Sequence, residues 1–288
     1  MRRLCWIPVA LLIAVAGCGD GDAGAADKPT VVATTTQVGD IARSVAGSRF
    51  KVVQILAPNA DPHEYELRPH DVAAVADADV VLRSGGDVDA WLNDAIDASG
   101  THARVITLSD GVKLRGDDPH WWQDPRNAEI AAREIGTALH VDPSAYIAKL
   151  KRLDGAVARC MEKVPRDERK LVTTHDALAY YAARYGIDVI GAVIPSLSTA
   201  GQPSAGDTTR LIETIRATGV KAVFAESSVN PKVEAAIASA TGATVGKALW
   251  ADTLGPAGSD GATYIQSIES NTRAMVDGFT GGAVSCRF

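Results

Sequence analysis

Asp142-Pro143-Ser144-Ala145-Tyr146-Ile147-Ala148-Lys149-Leu150-Lys151-Arg152-Leu153-Asp154-Gly155-Ala156-Val157-Ala158-Arg159-Cys160-Met161-Glu162-Lys163-Val164 is the stretch on which the architecture turns. Apolar side chains recur at Tyr146, Ile147, Leu150, Leu153, Val157, Met161 and Val164, in steps of three or four. That is the period of one helical face. Asp142 suits an N-cap, Pro143 the first helical position, and Pro165 ends the run. Gly155 weakens the helix locally. The spacing predicts one helix of about 22 residues, roughly 33 Å long, enough to cross a lobe.

Short β-branched runs alternate with helical periods on both sides of this segment. Before it, strands are expected at 30–34, 51–56, 79–83 and 104–108, with helices at 37–46, 68–76 and 91–98. After it, strands are expected at 170–174, 188–194, 220–225 and 244–249, with helices at 177–185, 208–218, 231–241 and 262–279. Strands alternating with helices of about ten residues imply parallel βαβ units. The expected fold is therefore α/β: two lobes with parallel sheets, 30–141 and 166–288, linked by a single long helix at 142–165. A ligand site belongs in the cleft between them.

The chain of 288 residues carries 35 acidic and 29 basic side chains, a net charge of −6, and is 46% apolar. No Lys/Arg run exceeds two residues, which argues against a nucleic-acid binder. No apolar run reaches the 18 or so residues of a membrane span.

Arg2 and Arg3 precede an apolar stretch from Leu4 to Ala16, and Val15-Ala16-Gly17-Cys18 follows. This reads as a bacterial lipoprotein signal, 1–17, with Cys18 acylated as the first mature residue. An ordinary secretory signal with an incidental cysteine is the alternative. Removing 1–17 leaves 271 residues and, with Arg2 and Arg3 gone, a charge of −8. Residues 18–29 then read as a flexible tether. The expected location is extracytoplasmic, lipid-anchored to the cell membrane. In that oxidising space the remaining cysteines, Cys160 and Cys286, read as a disulfide, with two buried thiols as the alternative. Such a bond closes a loop of about 125 residues, worth roughly 4–5 kcal/mol by chain entropy.

Three of the six histidines fall in loops near strand ends. His63 lies in Asp61-Pro62-His63, His120 in Asp118-Pro119-His120-Trp121-Trp122, and His175 directly after the strand 170–174. Asp252, in Trp250-Ala251-Asp252-Thr253, also follows a strand. Ligands of open α/β sheets bind beyond the carboxyl ends of the strands. Three neutral imidazoles and one carboxylate suit Zn2+ and would give a site of net charge +1. Glu226, at the end of the strand 220–225, is a candidate to orient an imidazole, or a solvated acid. Trp121, Trp122 and Tyr65 read as walls of the site or as core. His70, His102 and His140 are expected to be solvated.

The chain resembles the zinc- and manganese-binding lipoproteins that serve ABC-type importers, the solute-binding family with a helical backbone. The resemblance spans about 30–279. It rests on Asp118-Pro119-His120-x-Trp122-x-Asp124-Pro125, on Thr174-His175-Asp176-Ala177 with Tyr180-x-x-x-Arg184-Tyr185-Gly186, and on Pro203-Ser204. It continues in Val220-Lys221-Ala222-Val223-Phe224-x-Glu226 and in Asp252-Thr253-Leu254 with Tyr264 and Asn271. It implies two lobes, one linking helix and a metal between them, with ligands at His63, His120, His175 and Asp252. Many zinc members carry a His- and acid-rich loop before the second ligand, whereas Gly111–Asp117 is short and has no His. Manganese members often place Glu where this chain has His175.

The function expected is capture of a divalent metal and its delivery to a membrane permease, without catalysis. Zn2+ is the first choice and Mn2+ the alternative, and a monomer is expected. A tethered zinc hydrolase is disfavoured, since four protein ligands leave little room for a catalytic water and no HExxH is present. An adhesin or structural lipoprotein is a third reading.

Overall fold

The computed structural model describes residues 28–288. The expected signal segment 1–17, the lipidation of Cys18 and nearly all of the tether lie outside the described residues. The N-terminal lobe runs β1 (Thr30–Ala33), α1 (Thr36–Ala46), β2 (Lys51–Gln54), α2 (Pro69–Ala76), β3 (Val80–Arg83), α3 (Leu92–Ser99) and β4 (Arg104–Thr107). Its four strands are all parallel, in the order β2-β1-β3-β4. Val31, Val32 and Ala33 of the inner strand β1 are fully buried, as a strand covered on both faces requires.

A 15-residue helix, α4 (Pro125–Leu139), then appears where no element was expected. Its start was legible, because Asp124 caps it by accepting from Arg126 N–H and Pro125 takes the first turn. Its buried face was not, being built largely from Ala128, Ala131, Ala132 and Ala138 around Ile135 and Leu139. Small side chains give little hydrophobic contrast, yet they let α1 and the next helix pack closely against α4.

That next helix, α5 (Ser144–Met161), is the expected linking segment. It has 18 residues, about 27 Å, rather than the expected 22. Pro143 rather than Asp142 takes the cap position. The Asp142 carboxylate accepts from the Ser144 N–H and hydroxyl, 2.9 and 2.8 Å, and so secures the turn just ahead of the helix. Apolar residues on α5 are buried at Tyr146, Leu150, Leu153, Val157 and Met161.

The C-terminal lobe runs β5 (Lys170–Thr173), α6 (Ala179–Tyr185), β6 (Asp188–Ala192), α7 (Ala205–Thr218), β7 (Ala222–Val223), α8 (Lys232–Thr241), β8 (Thr244–Val245) and α9 (Tyr264–Thr280). β5 pairs with β6, and β7 with β8, in parallel. The Phe224 N–H donates to the Val172 carbonyl and stitches the two pairs together. β7 and β8 are shorter than expected, although the parallel bridge between Glu226 and Leu249 carries their pairing on toward the cleft.

The linking helix is not a bare spacer. It packs on α4 and α9, and Asp154 at its middle accepts from Arg184 and from the Tyr185 hydroxyl. One apolar cluster runs through both lobes, from Val31 and Leu82 through Leu150 and Val157 to Leu171, Phe224 and Phe279. Cys160 at the end of α5 is disulfide-bonded to Cys286, with Cα atoms 5.6 Å apart. No helix among the described residues is long and apolar enough to cross a membrane.

Candidate metal centre

The structure brings His63, His120, His175 and Asp252 together, with one donor atom from each within 4.8 Å of all the others. His63, His175 and Asp252 each follow the carboxyl end of a strand, where open α/β sheets bind their ligands. His63 comes from the loop after β2, His175 from the turn after β5, and Asp252 from the segment after β8. His120 precedes a short 3-10 turn, Trp121–Gln123, that feeds α4.

Two of the imidazoles are presented by the same local device. In both Asp61-Pro62-His63 and Asp118-Pro119-His120 the carboxylate accepts the N–H of the histidine two residues on, at 2.9 Å. The proline between them stiffens the turn. The second turn seats against Gly86, whose φ of +73° only glycine adopts freely. A Cβ on Gly86 would come within 2.7 Å of the Pro119 side chain.

Asp252 is the hub. Its Oδ2 lies 3.1 Å from His63 Nε2 and 2.9 Å from His175 Nε2, and its Oδ1 lies 3.4 Å from His120 Nε2. All five atoms are buried, and none is satisfied by a hydrogen bond of proper direction. Pointing donors at a shared centre rather than at one another is what a cation requires. A tetrahedral ion with bonds of about 2.0–2.2 Å holds its donors roughly 3.3–3.6 Å apart, close to these separations.

The outer partners fix which ring nitrogen faces inward. Asp118 Oδ1 accepts from His120 Nδ1 at 2.8 Å, which leaves Nε2 free of hydrogen. Glu226 Oε2 lies 3.0 Å from His175 Nδ1, and its Oε1 accepts the Asp252 N–H at 3.0 Å. Glu226 thus stands beside a histidine and Asp252 together. Asp118 was missed as a partner in the sequence, although the repeated Asp-Pro-His was a signal for it.

Burial alone pushes the His175 imidazole down in pKa, but the Asp252 and Glu226 carboxylates outweigh it and hold the ring well above the ordinary 6.5. For His63 burial again lowers, and Asp252 again prevails, so that pKa is raised too. Asp252 is driven up by burial and further down by His175 and His120, ending well below the ordinary carboxylate range. Burial, followed by the nearby Asp252 charge, raises Glu226.

The Asp252 segment is held from both lobes. Trp122 Nε1, Gln123 Nε2 and Gln37 Nε2 all donate to the Ala251 carbonyl, at 2.9, 2.8 and 3.4 Å. Leu254 N–H donates to the Thr36 hydroxyl, and Asn59 N–H to the Leu254 carbonyl. Asn271 brackets Trp250 by accepting from its N–H and donating to its carbonyl, both at 2.8 Å. The Tyr264 hydroxyl donates to the Trp122 carbonyl at 2.6 Å. Trp122 also walls the site, its ring 5.3 Å from that of His120. Trp121 is fully buried in the core, and Tyr65 turns away to Trp91 and Asp71. His70, His102 and His140 are exposed, and His140 closes α4 in a left-handed conformation.

The family model of the periplasmic zinc-uptake complex component A matches residues 31–278. The manganese-binding lipoprotein MntA of Bacillus subtilis is 31% identical, covering 87% of this chain and 90% of its own length. The MntA of Halalkalibacterium halodurans is 28% identical, over 97% of this chain and all of its own. Among solved structures, the periplasmic zinc-binding protein TroA from Treponema pallidum superposes with a TM-score of 0.79 at 26% identity, covering 88% of this chain and 99% of TroA.

Proposed function

Because this chain belongs to the family of the periplasmic zinc-uptake complex component A, a transport component rather than an enzyme, we propose that it captures a divalent transition metal outside the cytoplasm and delivers it to the permease of an ABC importer. It does so as a membrane-anchored lipoprotein, acylated at Cys18. His63, His120, His175 and Asp252 are the ligands, with Asp118 and Glu226 orienting His120 and His175. The observation that carries the reading is the convergence of three buried Nε2 atoms and two carboxylate oxygens that no directed hydrogen bond satisfies.

Manganese is the cargo that the relatives favour, since both MntA proteins are named for it. Donor geometry agrees, because both Asp252 oxygens turn inward and offer a fifth, oxygen donor of the kind Mn2+ accepts. Zinc, the first choice from sequence, is the second reading. Three imidazoles suit it, and TroA is named for it. Zn2+ also outranks Mn2+ at nearly any such site, so affinity order alone does not identify the cargo.

The lobes, 30–141 and 166–288, release the ion by small tilts about the linking segment 142–165. Titration with Zn2+ and with Mn2+ tests the reading. One ion per chain is expected, with binding abolished in the double variant His120→Ala/His175→Ala. Unchanged affinity in that variant would overturn the ligand set. Mn2+ accumulation that depends on this chain in cells at matched free-metal levels separates the two cargos.

A further inference from the structure

The stretch 193–204 joins β6 to α7 and supplies none of the four cluster residues. Like the His63 and His175 segments, it leaves the carboxyl end of a strand. It is tied to the His175 segment on both sides of that histidine. The Ile194 N–H donates to the Thr174 carbonyl at 2.7 Å, and the Asp176 N–H donates to the Ser196 carbonyl at 2.9 Å. Two tight turns follow, in which the Ser196 and Ser198 hydroxyls accept the N–H of the residue two places on, at 3.1 and 3.2 Å. Thr199 stands within these turns and reaches the other lobe.

The Thr199 hydroxyl donates to Asp61 Oδ2 at 2.7 Å, across 138 positions of sequence. The other oxygen of Asp61, Oδ1, accepts the His63 N–H at 2.9 Å. One carboxylate thus holds a cluster histidine with one oxygen and the opposite lobe with the other. The twin turn behaves differently. Asp118 Oδ1 takes both bonds to His120, and its Oδ2 meets no hydrogen-bond partner. The crossing bond is therefore not a by-product of the Asp-Pro-His turn. It is charge-assisted, which makes it about twice as strong as a neutral bond, and Thr199 is only 6% exposed.

Opening the lobes would carry His63 and His120 away from His175 and Asp252. The His63 and His175 rings lie 5.6 Å apart, and the segments that bear them are joined through Asp61 and Thr199. A crevice of about 470 Å3, lined by both Asp61 and Thr199, gives water a place to meet the carboxylate when that bond parts. We propose that Thr199 is a positioning residue for metal exchange: its bond to Asp61 braces the His63 turn against the His175 segment and breaks before an ion enters or leaves. The brace stands independently of the proposed function, and only its role in exchange rests on it. The bond uses no donor atom of the cluster, so it raises the barrier in both directions and leaves the affinity nearly untouched.

The test uses the intact protein with Zn2+ as the probe. Dissociation is followed by stopped flow into a fluorescent chelator, with rates extrapolated to zero chelator, and association and Kd are measured on the same preparations. Thr199→Val keeps the shape and loses the hydroxyl. It should speed dissociation about tenfold and association by a similar factor, while Kd stays close to wild type. Thr199→Ser keeps the hydroxyl and should restore the wild-type rates. An unchanged dissociation rate in Thr199→Val overturns the brace, and so does a Thr199→Ser chain as fast as Thr199→Val. Faster dissociation matched by an equally weakened Kd also overturns it, because Thr199 would then shape the bound site rather than its opening. In the metal-free chain, amide hydrogen exchange across 59–64 should be faster in Thr199→Val than in wild type. Equal exchange overturns the brace whether or not metal binds, whereas a wild type that takes up no Zn2+ counts against the proposed function alone. If Thr199→Val does not fold, Thr199→Ala takes its place with the same expected outcomes.

Discussion

Asp118 grips His120 twice through a single oxygen, accepting its backbone N–H at 2.9 Å and its ring Nδ1 at 2.8 Å. The first bond sets where the residue sits, and the second sets which face of the imidazole looks inward. Replacing Asp118 by Asn keeps an acceptor but removes the charge that makes the ring a strong donor to metal. The expected result is about a 10–100-fold loss of metal affinity, measured by competition titration, with unchanged far-ultraviolet circular dichroism. An affinity equal to wild type would show that the second bond does not tune the site.

Metal binding should expel protons. The His175 pKa is raised, so its proton stabilises the metal-free fold below the ordinary value of 6.5. That contribution is lost as pH climbs through the folded-state value. A metal needs the neutral ring, so near neutral pH it must displace that proton. Apparent affinity should rise with pH across this range. Calorimetry in buffers of different ionisation enthalpy should report net proton release, and heats that ignore the buffer would refute it.

Tyr264→Phe removes the hydroxyl that donates to the buried Trp122 carbonyl. The stranded carbonyl should cost about 1–3 kcal/mol. For a chain of this size that lowers the melting temperature by roughly 2–4 °C per kcal/mol, read by calorimetry on metal-free protein. The hydroxyl lies outside the cluster, so the number of ions bound should stay at one.

Replacing both Cys160 and Cys286 by Ala opens the loop they close, 126 residues in sequence separation. Stability should fall by about 2–5 kcal/mol in denaturant unfolding. Metal affinity should be retained, because the bond joins the end of α5 to the C-terminal tail rather than to any ligand loop.

The four residues of the cluster were legible because each stands in a recognisable place: His63 and His120 in Asp-Pro-His turns, His175 and Asp252 shortly after β-branched runs. Periodicity exposed the linking helix and the two parallel sheets for the same reason, since Leu, Ile and Val contrast sharply with the polar positions between them. It failed at α4, where alanine does the packing and the contrast fades. It also overran at β7 and β8, where Val220–Ala225 and Thr244–Leu249 read as full strands. There the chain leaves the regular ladder after two residues to carry Glu226 and Asp252 toward the cleft. The latch on Ala251 was invisible for a different reason. A backbone carbonyl has no sequence signature, and the three residues that meet there lie 128 to 214 positions away.

The bond between Cys160 and Cys286 makes the C-terminal lobe a covalent ring, because every strand and helix from β5 to α9 lies between the two sulfurs. A peptide bond cut anywhere inside that ring opens the circle without freeing either end. Proteolysis in an exposed stretch such as the one around Ala200 would leave two chains still joined, with all four donor residues on one molecule. For a protein outside the cytoplasm, the disulfide therefore converts a severing event into a nick.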